Sequence, residues 1–102
     1  MQAATELSRL QESAGEAAEL LRLLANENRL LILCQLALEK ELPVGSLAER
    51  VKLGQSALSQ HLAKMRQEGL LATRREGTTV FYRIGDAKVR RVLTLLKNIY
   101  CP

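Results

Sequence analysis

A winged helix-turn-helix, mainly α with a β-hairpin wing, is the fold class that three features of this sequence predict. The first is a short apolar helix, a tight turn and a longer amphipathic helix within residues 46–68. The second is a change from helical to alternating period just after Gly69, over residues 71–84. The third is a pair of apolar helical seams flanking that unit, in residues 1–25 and 86–102. A chain of 102 residues has room for one domain, so all of these belong to a single unit.

Each element has its own signal. Leu7, Leu10, Ala14, Ala17, Leu21 and Leu24 recur at alternating intervals of three and four, a heptad-like seam with Gly15 as a point of break or bend. Asn26 or Asn28 caps a second helix running from Arg29 to about Glu39, apolar around most of its circumference and therefore central. Leu42-Pro43 interrupts the pattern as a loop or a first helical turn. A short helix from Ser46 to Val51, the turn Lys52-Leu53-Gly54 and a helix from Gln55 stopped at Gly69 follow. Leu71–Glu76 and Thr78–Ile84 form two β runs about a turn at Gly77. Asp86 opens a last helix with Val89, Leu93, Leu96 and Ile99 on one face.

Composition excludes several functions. Apolar residues make up 47% of the chain, too many for disorder, but only Phe81, Tyr82 and Tyr100 are aromatic. Single-strand binders stack bases on several rings, so that class is disfavoured. One histidine and two cysteines cannot supply four zinc ligands or a disulfide framework, which points to a reducing cytoplasm with no metal and no cofactor. The longest apolar run, Leu30 to Cys34, is too short to cross a bilayer, and the N-terminus lacks a signal core. No phosphate-cradling glycine loop or catalytic cluster is present, so an enzyme is not expected.

Charge is unevenly divided. The net is +4, yet residues 1–51 hold five Lys or Arg against eight acids, and residues 52–102 hold ten against three. A basic second half on a small domain points to a polyanion, nucleic acid before a membrane surface. A merely solvated basic face has the same charge, so the pattern of residues must decide.

The helix after Gly54 supplies that pattern. At about 100° per residue, Leu62 and Met65 fall within about 40° of Leu58. Ser56, Ser59, Gln60, Ala63, Lys64 and Gln67 fill the opposite arc, from about 100° to 240°. Gln55 and Gln60 suit base edges, Ser56 and Ser59 suit bases or phosphate, and Lys64 suits phosphate. His61 flanks the apolar stripe, where a scaffold or phosphate contact fits better than a metal ligand. On the hairpin, Arg74, Arg75, Thr78 and Thr79 lie near the tip, within reach of backbone or minor groove. An ordinary surface helix also has a polar outside. The tight turn, basic half and arginine-bearing hairpin favour double-stranded DNA.

Glu41-Leu-Pro-Val-Gly-Ser-Leu-Ala-Glu, Ser56-Ala-Leu-Ser-Gln-His-Leu-Ala-Lys-Met-Arg-Gln-Glu-Gly-Leu-Leu and Val80-Phe-Tyr-Arg-Ile together resemble the ArsR/SmtB family of bacterial repressors. The likeness covers essentially the whole chain. It implies a homodimer on promoter DNA whose first and last helices pair, using the Leu7–Leu24 seam and the Val89–Ile99 face. The family's metal sites do not transfer. Positions that carry cysteines in arsenic-type members hold Pro43, Val44, Gly45 and Ser46. The last helix has Asp86 but then Lys88, Arg90, Arg91 and Lys97, with no histidine for a zinc-type site. A cysteine-rich N-terminal arm, as in cadmium-type members, is also missing. Gly54 stands where relatives often have serine, and glycine still serves as an N-cap.

Composition alone reads Cys34 as an inert buried thiol and Cys101 as a tail residue. Set in Ile32-Leu33-Cys34 and Asn98-Ile99-Tyr100-Cys101, the pair resembles the sulfide- and persulfide-responsive branch of the family. That resemblance implies a dithiol switch in which reactive sulfur, as inducer, bridges Cys34 to Cys101 and weakens operator binding. Lys97, one helical turn from Cys101, is placed to favour its thiolate. The competing readings are a peroxide-responsive regulator, a derepressor with no small-molecule input, and a winged-helix protein-interaction module.

Overall fold

The central helix is apolar on nearly all sides, and the chain folds so as to enclose it. The computed structural model describes residues 2–101, with side chains from residue 5 onward. Its order is α1 (Gln2–Leu24), α2 (Glu27–Leu38), β1 (Leu42–Pro43), α3 (Val44–Val51), α4 (Gln55–Gln67), β2 (Leu71–Glu76), β3 (Thr79–Ile84) and α5 (Ala87–Tyr100). Ile32, Leu33 and Leu36 of α2 are fully buried, with α3, α5 and β3 packed around that helix. Leu47 of α3, Leu58, Leu62 and Met65 of α4, and Val89 and Leu93 of α5 complete the same core. This is the expected winged helix-turn-helix.

The helix starts follow the capping chemistry. Of the two asparagine candidates, Asn26 caps α2, its Oδ1 accepting the Arg29 N–H at 3.1 Å. Asp86 caps α5, its Oδ1 accepting from the N–H groups of Lys88 (2.7 Å) and Val89 (3.4 Å). α4 ends beside Gly69, whose φ of +80° reverses the chain at no side-chain cost. At the wing tip Glu76 pairs with Thr79, leaving Gly77 and Thr78 as the loop. A positive φ at Gly77 alone (+62°) is the pattern of a type II′ hairpin turn.

Three expectations are corrected. α1 runs unbroken through Gly15, because one glycine costs only about 1 kcal/mol in a long helix. Leu42-Pro43 is a strand, antiparallel to β3 through Leu42↔Tyr82 and Pro43↔Phe81, and α3 begins directly after it at Val44. The second edge of β3 otherwise offers unpaired backbone groups, and proline is tolerated on an edge strand. The expected turn at Lys52-Leu53-Gly54 is present, with Lys52 as the left-handed C-cap of α3 at φ 55°, a position usually given to glycine. The Val89–Ile99 face of α5 is not a free surface: Val89 and Leu93 pack inside the protomer, and Leu95, Ile99 and Tyr100 are what α5 leaves exposed.

The N-terminal seam also divides. Leu24 is buried in the core, while Leu7, Leu10 and Leu21 stay more than half exposed. Leu20 and Leu23 pack partly against the core, so α1 is anchored only by its last turns.

Leu58 has no exposed surface and is the first anchor of α4 in the core. Leu58→Ala is expected to lower unfolding free energy by about 2–5 kcal/mol in urea titration. A loss under about 1 kcal/mol would show that α4 is held by other contacts.

Candidate nucleic-acid interface

The expected division of α4 between core and surface is present. Leu58, Leu62 and Met65 are buried, and Gln55, Ser56, Ser59, Gln60, Ala63, Lys64 and Gln67 are exposed. Burying one stripe fixes the helix's rotation, so the polar arc has nowhere to face but solvent. Gly54 is the N-cap, with extended backbone and no side-chain cap bond. The first N–H groups of α4 are therefore not taken by a capping side chain, and the positive end of its dipole lies beside Gln55 and Ser56. His61 is half-buried at the border of the core stripe. Among the described residues no group of three His, Cys, Asp or Glu side chains is disposed to hold a metal ion.

The wing stands beside this helix. A shallow groove between them is lined by Ser59, Ala63, Arg66, Gln67 and Tyr82. Tyr82 and Ile84 point into the protein body, and Val80, farther out on the same parity, is half-buried. Arg83 alternates outward. Arg75, Thr78 and Thr79 are exposed at the outer end of the hairpin.

Arg74 is different from its neighbours. Its Nε donates to both carboxylate oxygens of Glu41, at 2.8 and 2.9 Å, and its Nη2 adds a further bond to Glu41. Nη1 donates to Glu76 at 2.9 Å, and the guanidinium lies over the Phe81 ring, 4.3 Å from its centroid. These bonds hold the Glu41 carboxyl below its ordinary range, chiefly through the hydrogen bonds from Arg74. The sequence reading did not anticipate this clamp, because Glu41 lies 33 residues from Arg74 and only the pairing of β1 with β3 brings them together. Arg66 is exposed on the same surface, and its position at about 80° on the helical wheel, beside Ser59, is the sequence signal for it.

The cysteines lie on α2 and at the C-cap of α5, two helices that pack together. Both are free thiols, Cys34 half-buried and Cys101 exposed. Burial pushes the Cys34 thiol above its ordinary pKa, and the nearby Cys101 adds to the effect by its charge. Leu31 and Leu38, on the same stripe of α2 as Cys34, are exposed, as are Ile99 and Tyr100 next to Cys101. The dithiol is thus framed by apolar surface.

No helix of the described residues is long and apolar enough to cross a membrane. Residues 26–73 match the family model described as bacterial regulatory protein, arsR family. The transcriptional activator HlyU of Vibrio cholerae is 47% identical over 95 residues, 93% of this chain and 87% of that protein. A solved structure of reduced HlyU from the same species aligns with a TM-score of 0.83 at 46% identity, over 92% of this chain and 98% of that one. The transcriptional repressor BigR from Xylella fastidiosa aligns with a TM-score of 0.83 at 36% identity, over 93% and 96% of the two chains.

A Cys34 pKa raised above the ordinary 9.0 leaves the folded-state group a thiol at pH 8, so it alkylates more slowly than Cys101. Its iodoacetamide rate is expected to keep climbing past pH 9, with unfolding by urea restoring an ordinary profile. A Cys34 midpoint below 9 in the folded protein, read by peptide mass spectrometry, would contradict the burial argument.

Proposed function

The chain belongs to the ArsR family of DNA-binding transcriptional regulators, and on that premise we propose that it is a homodimeric repressor with a dithiol input. The observation that carries the DNA half is the exposed polar arc of α4 opposite its buried stripe. In this reading α4 enters the major groove, where Gln55 and Gln60 meet base edges. Ser56, Ser59, His61 and Lys64 take phosphates or neighbouring edges. Arg75, Thr78 and Thr79 approach the flanking backbone from the wing, while Arg74 braces the wing from the middle of β2 through Glu41. Arg66 belongs with this set, at the groove between helix and wing.

Two copies are needed for a palindromic site. The exposed Leu7, Leu10 and Leu21 of α1, together with Leu95 and Ile99 of α5, supply apolar surface that a second protomer would cover. This narrows the dimer face of α5 to the residues its own core does not use.

The dithiol half rests on the packing of α2 against α5 and on the likeness to the sulfide-responsive branch. Exposed Cys101, as thiolate, takes the outer sulfur of an organic persulfide and releases the organic thiol. Cys34, as thiolate, attacks the Cys101 sulfur, closes a disulfide and expels hydrosulfide. Attack on the middle sulfur of a longer chain carried by Cys101, again expelling hydrosulfide, retains extra sulfur in the bridge. Closure ties core helix α2 to α5 and shifts the spacing of the two recognition helices, which address grooves about 34 Å apart. HlyU is called an activator and BigR a repressor. In this reading the thiol form occupies the operator and represses, the sense that the name of BigR gives for that protein.

Replacing Gln60 and Lys64 together by alanine is expected to cost about 1–3 kcal/mol in binding to a duplex selected by the wild-type protein. It should also flatten the salt dependence by roughly one phosphate contact. A folded double variant with wild-type affinity and salt slope in fluorescence anisotropy would remove α4 from the interface.

Cys34→Ser should bind the selected duplex normally and keep that binding after treatment with an organic persulfide. Intact-mass analysis of capped wild-type protein should show added sulfur or loss of two hydrogens under the same treatment. Release of the Cys34→Ser protein by persulfide would refute the dithiol mechanism. Equal response of the wild-type protein to peroxide would widen the input to general thiol oxidation.

A further inference from the structure

Arg29 is a charged side chain buried to 8% exposure at the junction of three helices. A guanidinium taken out of water is costly unless its donors are met, so its partners are informative. Nη1 donates at 2.9 Å to the carbonyl of Leu23, one of the last carbonyls of α1, which the helix itself leaves without an acceptor role. Nη2 lies 2.8 Å from Oε1 of Glu68, the C-cap residue of recognition helix α4. That oxygen is buried and takes no aligned hydrogen bond, so the contact is one of charge. The Arg29 backbone meanwhile donates to Asn26, which fixes the first turn of α2.

Glu68 gains nothing from its own helix. A carboxylate at a C-terminus faces the negative end of the macrodipole, so its stabilisation must come from elsewhere. Arg29 supplies it, and Arg22 of α1 feels the same carboxylate while paired with Glu19. One guanidinium thereby joins the end of α1, the start of α2 and the end of α4.

We propose that Arg29 and Glu68 are positioning residues that set where each recognition helix points within the dimer, an inference that rests on the DNA-binding reading above. α1 carries the uncovered Leu7–Leu21 seam at one end and is bound to α4 through Arg29 at the other. Buried Arg29 does not itself reach DNA; it acts through Glu68 and α4. Cys34 stands five residues farther along α2, so a bridge that moves α2 against α5 also pulls on this guanidinium. The link determines discrimination between sequences, whereas phosphate contacts determine general affinity.

Glu68→Gln and Arg29→Lys test this, using a duplex selected by the wild-type protein from a randomised pool and a scrambled duplex of equal length. Each variant is expected to lose roughly ten-fold in preference for the selected duplex, since a hydrogen bond or contact to a charged group is removed. Affinity for the scrambled duplex should stay unchanged, because every exposed cation remains. In a Cys34→Ser/Cys101→Ser background, nitroxides at Ala63→Cys should report a broader distance between the two α4 helices in Glu68→Gln, with circular dichroism unchanged. Preference held within about two-fold in a folded dimer, or equal loss on both duplexes, would overturn the proposal. Arg29→Lys decides by the same readouts if Glu68→Gln does not fold. Absence of any selected duplex for the wild-type protein would count against the DNA reading, and an unchanged α4–α4 distance width would then overturn the link independently.

Discussion

The enclosure of α2 is the constraint from which the rest of the molecule follows. A helix with Ile32, Leu33 and Leu36 fully buried must be covered on several sides, and in a domain this small every other element is recruited to do it. α3, α5 and β3 pack on it directly, and α4 joins the same core through Leu58, Leu62 and Met65. The recognition helix is therefore oriented by its apolar stripe. Its outward polar arc is a by-product of that burial, which gives side chains rigid enough to address a groove without ordering them anew.

The same economy explains why neighbouring arginines on the wing behave differently. In a strand, successive side chains face opposite ways, so Arg74 and Arg75 cannot share an environment. Arg74 finds Glu41, Glu76 and the Phe81 ring on its side of the sheet. Arg75 finds solvent. One cation keeps the hairpin attached to the sheet edge while the next stays available to a polyanion. An arginine already engaged by two carboxylates presents little net positive field, whatever its position near the tip.

α2 also brings conflicting demands together. Cys34 is half-buried, which suppresses its thiolate, yet it lies beside the exposed and more accessible Cys101. In the proposed switch such a pair would divide labour between a first-reacting thiol and a protected one that closes the bridge. Since α2 carries both Cys34 and Arg29, strain applied at the proposed dithiol switch would reach the end of α1 through the Arg29–Leu23 hydrogen bond and α4 through the Arg29–Glu68 charge contact. The apolar surface around the cysteines, Leu31, Leu38, Ile99 and Tyr100, places that chemistry next to the surfaces a second copy would cover.

Periodicity and capping residues determined most of the fold by themselves. The stripe of α4, the Asn26 and Asp86 caps, the stop at Gly69 and the turn at Gly77 are local, since each depends on residues within a turn or two of one another. The polar arc of α4 was legible for the same reason. Tertiary structure decided whatever depends on pairing distant segments. β1 exists only because β3 offers it an edge, a two-residue strand being too short to announce itself. Glu41 meets Arg74, and Arg29 meets Glu68, across 33 and 39 residues of chain. Which face of α5 is spent on the core was likewise undecidable from its period, because an amphipathic seam reads the same against its own chain or another. Local physics writes the elements into the sequence; which charges and apolar faces find each other is settled only when the core closes.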